Sequence, residues 1–256
     1  MSEPRAAALH LGLPARTRAC LFDLDGVLTQ TATLHAAAWK QAFDEYLRTR
    51  ARSTGEPFVP FDAVLDYELH VDGKPRLEGV RAFLSARRIA LPEGGDHDPA
   101  TAQTIHAIGN RKNELFLQLL HGKRPATYPG SVRYVKAARR DGLRTAVVSS
   151  SKNCQEVLRS AGLADLFDVR IDGLVAAAQH LAGKPAPDTY LAAARALAVE
   201  PADAAIFEDA LAGVEAGRAG RFGYVVGVDR LGQAAELRQH GADVVVSDLA
   251  TLLERA

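Results

Sequence analysis

The stretch Leu21-Phe22-Asp23-Leu24-Asp25-Gly26-Val27-Leu28-Thr29 runs an apolar segment into two carboxylates and a glycine. In open α/β sheets, ligands bind at the carboxyl ends of strands. Two acids placed there repel each other unless a cation lies between them. One carboxylate can ligate Mg²⁺ and attack phosphorus, and the second can shuttle the proton of an alcohol. Gly26 permits a sharp turn that exposes backbone N–H groups to an anion. A solvated Asp-Gly turn explains the same four residues, so the pattern needs support elsewhere.

Three later segments supply it. Val147-Val148-Ser149-Ser150-Ser151-Lys152-Asn153 ends another apolar run in small polar residues. A hydroxyl and free amides at a helix start suit a phosphoryl oxygen, though such a cluster alone is often only a cap. Gly183-Lys184-Pro185-Ala186-Pro187-Asp188 fixes a lysine between glycine and proline, where it can offer a point charge to phosphate. It lacks the first glycine and the Ser/Thr of a Walker A loop. Ile206-Phe207-Glu208-Asp209 ends a further apolar run in adjacent acids, which can complete an oxygen set for Mg²⁺ or simply cap a helix. Acid, hydroxyl, lysine and acid thus read as four successive strand ends.

The elements that must position them follow from hydrophobic pattern. Apolar runs at 19–24, 143–148, 169–171, 204–207, 224–228 and 244–246 are strand-length, and several lack alternation. That suits strands buried on both faces of a parallel sheet. Val132, Val135 and Ala138 recur at helical spacing. So do Cys154, Val157, Leu158 and Ala161, with Gly162 placed as a C-cap, and Tyr190, Leu191, Ala194 and Leu197. From about residue 130 the alternation predicts a doubly wound α/β core. Between the first strand and that point lie two helical stripes, Leu34, Ala38, Trp39, Ala42, Phe43, Tyr46, Leu47 and Ile105, Ile108, Leu115, Phe116, Leu119. The expected fold is a Rossmann-like parallel-sheet core, 19–33 with 124–256, carrying an inserted all-helical cap at 34–123. Residues 1–18 are expected to form a loose N-terminal extension.

Composition excludes several classes. Lys plus Arg and Asp plus Glu are each 31, so net charge is zero and the nonspecific attraction of a nucleic-acid binder is absent. No apolar run approaches the roughly 20 residues that span a membrane. Cys20 and Cys154, without histidine neighbours, read as core thiols in a reducing compartment. A cytoplasmic protein is expected, monomeric, with a weak dimer as the alternative.

The ordered set of four motifs resembles the haloacid dehalogenase superfamily of phosphotransferases across essentially residues 19–250. A helical cap between the first two motifs resembles the subfamily that contains β-phosphoglucomutase. So do Thr31-Ala32-Thr33-Leu34-His35-Ala36-Ala37-Ala38-Trp39-Lys40 and Arg111-Lys112-Asn113-Glu114. The resemblance implies Asp23 as the nucleophile that becomes an aspartyl phosphate, with Asp25 as general acid/base. It implies Mg²⁺ on Asp23, the Asp25 carbonyl and Asp209, with Glu208 nearby, and Ser149 and Lys184 on the transferring phosphoryl group. Arg76, in Val71-Asp72-Gly73-Lys74-Pro75-Arg76, would grip a second phosphate, assisted by Ser151, Lys152 and Asn153. His35 and Lys112 would sit at the cap–core seam. Trp39 joins the substrate set by resemblance, although its stripe reads as cap core. The implied substrate is a small sugar phosphate. The implied reaction interconverts β-D-glucose 1-phosphate and glucose 6-phosphate through the 1,6-bisphosphate, and hydrolysis of a small phosphorylated metabolite is the alternative.

Overall fold

The computed structural model describes residues 8–121 and 125–253, and the chain divides into two compact units, Met1–Gln30 with Pro125–Ala256, and Thr31–Arg124. The first unit is a six-stranded sheet in which every neighbouring pair is parallel. Its strands are β1 (Ala19–Phe22), β2 (Arg144–Val148), β3 (Val169–Ile171), β4 (Ala204–Glu208), β5 (Tyr224–Val228) and β6 (Val244–Val246), in the order β3-β2-β1-β4-β5-β6. Strand order reverses between β1 and β4, the switch point at which such sheets open a crevice. Phe22 is level with Val147 on one side and Phe207 on the other. The residues just beyond β1, β2 and β4 therefore emerge side by side.

Burial explains why these runs are strands. All of β1 and β4 is buried, so side chains on both faces are apolar except Glu208, whose charge is met by Lys184. Phe22 stacks on Phe207 at 4.4 Å between ring centroids, and the edge of Tyr134 meets Phe22 at 6.3 Å. Covering the sheet are α4 (Pro129–Arg140), α5 (Cys154–Ala161), α6 (Gly173–Ala178), α7 (Asp188–Ala196), α8 (Leu211–Ala219), α9 (Ala234–Gln239) and α10 (Ala250–Leu253). Gly162 closes α5 as expected, with φ of 71° and its N–H on the last turn. β1 ends at Phe22 rather than at 24, and β4 continues to Glu208, so Glu208 itself belongs to the ladder. Both cysteines are buried.

The expectation of a loose N-terminal extension is corrected for its described part. Ala8, Leu11 and Leu13 are buried, Tyr134 Oη donates to the Leu11 carbonyl at 2.7 Å, and Arg18 N–H donates to Asp203. Burying each leucine stabilises the unit by about 1.5–3 kcal/mol, which is ample to hold the segment. Residues 1–7 lie outside the described residues.

The second unit is helical: α1 (Ala32–Thr54), a π-helical turn (Tyr67–Val71), α2 (Arg76–Ala86) and α3 (Ile105–His121). Trp39, Phe43, Phe61 and Phe83 form its aromatic centre, with Trp39–Phe43 and Phe43–Phe61 stacked at 5.1 Å. Arg111 grips Glu45 through two nitrogens at 2.7 and 3.0 Å, fastening α3 to α1. One expectation needs correction. Leu119 is 41% exposed and leaves the α3 stripe. Helix α2 follows the Asp72-Gly73-Lys74-Pro75 segment, and Val80, Phe83 and Leu84 bury its inner face.

Candidate active site

The end of β1 places Asp23 against the end of β4. Asp23 N–H donates to the Phe207 carbonyl at 3.0 Å, which continues the ladder one residue beyond the strand. Asp23 is 6% exposed, and its carboxylate meets the Lys184 ammonium at 2.5 Å. Lys184, 1% exposed, also binds the Glu208 carboxylate, and its Nζ lies over the Tyr190 ring at 5.1 Å. Tyr190 Oη donates to Glu208 Oε1 at 2.6 Å. Lys184 does not stand at a strand end, as its place in the motif order suggested. It enters from the loop between α6 and α7, thirteen residues past the end of β3 in sequence.

Charge in this cluster does not balance. Oxygen atoms of Asp23, Glu208 and Asp209 lie within 4.8 Å of one another, and all three residues are buried. Burial pushes the Asp23 carboxyl well above the ordinary carboxylate range, and Lys184 opposes that shift while Glu208 and Asp25 add to it. Burial would lower the Lys184 ammonium, but Asp23 and Glu208 outweigh it and hold it above its usual value. Three carboxylates against one ammonium leave an excess of negative charge among hard oxygen donors. That set fits a magnesium ion, which takes carboxylates and keeps waters or phosphate as its other ligands. Glu208 is the poorest donor of the three, because Lys184, Tyr190 and the Ala210 N–H already occupy it.

Gly26 is required here on two counts. Its φ of +90° is in the left-handed region, and a Cβ would overlap the Asp209 carboxylate. Gly213, at the start of α8, likewise lets the helix pass over the Glu208 carboxylate, where a Cβ would collide. Half-buried Asp25 follows Asp23 by two residues. Ser149 Oγ donates to Asp25 Oδ2 at 3.5 Å and accepts the Ser151 N–H at 3.1 Å, so an incoming oxygen would have to displace only that long bond to take the hydroxyl proton. Ser151 Oγ accepts the Asn153 N–H at 3.1 Å, and Lys152 is exposed. Ser149, Ser151, Lys152 and Asn153 thus sit together in one loop after β2, and Gly173 packs so closely against it that a Cβ would lie 2.9 Å from Lys152 N.

In the helical unit, buried Lys112 Nζ meets His35 Nδ1 at 2.6 Å, and the His35 ring stacks on Phe116 at 4.0 Å. Trp39 is 3% exposed, stacks on Phe43 and lies beneath Lys112 Nζ at 5.0 Å. The Trp39 ring thus packs into the aromatic centre of the helical unit, where its stripe predicted it. Arg76 opens α2 and is half-buried; burial lowers its guanidinium and Asp96 opposes that. Sequence reasoning missed Tyr190 as a site residue. It was read as one apolar residue of the α7 stripe, and only the packing of α7 brings its hydroxyl to Glu208.

The model of the haloacid dehalogenase-like hydrolases matches residues 17–221. Over 253 residues the chain is 54% identical to a β-phosphoglucomutase of Mycobacterium tuberculosis, covering 98% of this chain and 97% of that protein. It is 33% identical to a β-phosphoglucomutase of Bacillus subtilis, covering 92% and 91%. Among solved structures it is similar to a β-phosphoglucomutase of Clostridium difficile, with a TM-score of 0.72, 25% identity and coverage of 92% and 93%.

Proposed function

The chain belongs to the haloacid dehalogenase-like hydrolase family, and on that footing we propose that it interconverts β-D-glucose 1-phosphate and glucose 6-phosphate through the 1,6-bisphosphate, the reaction of a β-phosphoglucomutase. Identity of 54% across nearly the full length of such an enzyme carries this reading. The site supplies its chemistry.

Asp23 carries the phosphoryl group. As the sugar 6-hydroxyl oxygen attacks phosphorus, Asp25 takes its proton and the Asp23–phosphoryl bond breaks, giving the bisphosphate. The bisphosphate turns over, Asp23 attacks the other phosphate, and Asp25 returns the proton to the departing sugar oxygen. Lys184 neutralises charge on the reacting carboxylate, while the Ser149 hydroxyl and the amides of its loop hold phosphoryl oxygens. Asp23, Asp209 and the Asp25 carbonyl would hold Mg²⁺, with Glu208 as an outer partner through Lys184. Bound there, the ion would offset the negative charge gathered by acid and phosphate. Lys184 alone cannot offset three carboxylates and a phosphoryl group, so chelation with EDTA is expected to stop turnover and added Mg²⁺ to restore it. Undiminished turnover in EDTA rules out this account.

Arg76 is assigned to the phosphate that is not being transferred, and His35 and Lys112 to the sugar. Only a bisphosphate route needs a second phosphate grip. Arg76→Ala is expected to lower mutase turnover by about 10–100-fold, the worth of a hydrogen bond to a charged group. It should lower cleavage of p-nitrophenyl phosphate far less. Equal losses in both reactions remove Arg76 from this role. The reaction itself is tested by offering β-glucose 1-phosphate with a trace of glucose 1,6-bisphosphate. Glucose 6-phosphate without free phosphate supports the mutase, whereas free phosphate without glucose 6-phosphate identifies a phosphatase.

A further inference from the structure

The segment after β5, Asp229-Arg230-Leu231-Gly232-Gln233, holds none of the groups used above, yet it touches both acidic loops. Asp229 shapes it. The Asp229 N–H donates to Val246, and its Oδ1 accepts the N–H groups of Leu231, Gly232 and Gln233 at 3.2, 2.7 and 3.0 Å. Three donors on one carboxylate oxygen give the segment a fixed form. From that frame Arg230 Nε donates to the Gly26 carbonyl at 2.8 Å, and its Nη1 donates to Ser247 O at 2.6 Å. The guanidinium lies over the Tyr128 ring at 3.5 Å, and Tyr128 N–H in turn donates to Leu28 O in the β1 loop. Gln233, 8% exposed, donates from Nε2 to the Asp209 carbonyl at 3.2 Å. One short segment therefore grips the backbone of the Asp23–Gly26 loop and the backbone of the Glu208–Asp209 loop. Those two loops meet where the Asp209 carboxylate lies against Gly26.

We propose that Arg230 and Gln233 are positioning residues that set the spacing between the two acidic loops, and with it the affinity of the site for a divalent cation and the rate of phosphoryl transfer. The inference rests on the cation-assisted reading given above. Neither side chain touches the reacting atoms. A charge-assisted hydrogen bond to the Gly26 carbonyl fixes the Gly26–Val27 peptide, one residue past Asp25, and Gln233 fixes the peptide that follows Asp209. Partners of metal-binding groups commonly govern affinity in this way, and removing one costs about 10–100-fold.

The test uses the full chain with Arg230→Ala, Arg230→Lys and Gln233→Ala. Mn²⁺ binding without substrate is read from the electron paramagnetic resonance of free Mn²⁺, alongside kcat, KM and thermal stability. Arg230→Ala is expected to weaken Mn²⁺ binding by about tenfold or more, with a matching fall in kcat and little change in KM. Arg230→Lys should recover part of the loss, since an ammonium can reach one of the two carbonyls. Gln233→Ala should shift both quantities the same way by less. Unchanged Mn²⁺ affinity and kcat in the variants that fold, or a rise in KM alone, overturns the proposal, and Gln233→Ala decides it if Arg230→Ala does not fold. Mn²⁺ binding is read without sugar phosphate. A wild-type chain that released only free phosphate would sink the mutase reading and leave this measurement standing.

Discussion

Asp23→Asn is expected to abolish phosphoryl transfer, lowering kcat by about 10⁴-fold or more, as removing a nucleophile does elsewhere. The amide oxygen is a poor nucleophile and cannot become a stable phosphoryl carrier, so no other group in the cluster can take its place. Glu208 is the nearest rival, but Lys184, Tyr190 and the Ala210 N–H hold its oxygens. The same substitution should leave the metal-free protein at least as resistant to heat as the wild type. Asp23 is buried, and burial with Glu208 and Asp25 nearby raises its carboxyl above the ordinary range. A carboxyl raised on folding holds its proton more tightly in the folded state, so its ionised form at neutral pH costs stability. Asparagine removes that charge, and Lys184 keeps Glu208 as its partner. Loss of labelled phosphoenzyme together with an unchanged or higher melting temperature is the expected pair of results. Near wild-type turnover would refute Asp23 as nucleophile, and a collapsed melting temperature would show that the carboxylate supports the fold.

The sheet was legible because parallel strands buried on both faces must be apolar at every position. Runs such as 19–22 and 204–207 stand out against the helices around them. The acids and the serine were legible because each follows such a run with a residue type that has no business in a core, and the lysine because Gly183 and Pro185 hold it off any helix. What escaped was polar chemistry disguised as packing. Tyr190 carries a hydroxyl that matters on a ring that reads as core. Arg230 and Gln233 act through carbonyls, and backbone oxygens leave no mark in sequence. Trp39 was legible as interior from its own apolar stripe, and its 3% exposure follows that stripe. Leu119 shows the limit of periodicity, since a helix of 17 residues that packs against α1 over only part of its surface can leave one stripe residue in water.

Lys184→Met is expected to damage stability and activity together, for one electrostatic reason. Among the described residues, the ammonium is the one cation bonded to both Asp23 and Glu208, and Lys184 is 1% exposed. Removing it leaves two buried carboxylates facing each other, and breaking a buried ion pair from one side costs about 3–5 kcal/mol. For a chain of this size that corresponds to a melting temperature lower by roughly 6–20 °C. A second substitution separates charge from shape. Lys184→Met with Glu208→Gln removes one of the two opposed charges and keeps an oxygen for the Tyr190 hydroxyl, so it should regain a large part of the lost stability. It should regain no phosphoryl transfer, because nothing then neutralises the reacting carboxylate from the lysine side. Millimolar Mg²⁺ should also raise the melting temperature of Lys184→Met, since an ion that binds only the folded acids shifts the equilibrium toward them. A single variant as stable as the wild type would mean that Asp23 and Glu208 are not both ionised around Lys184. The charge imbalance on which the cation reading rests would then be absent.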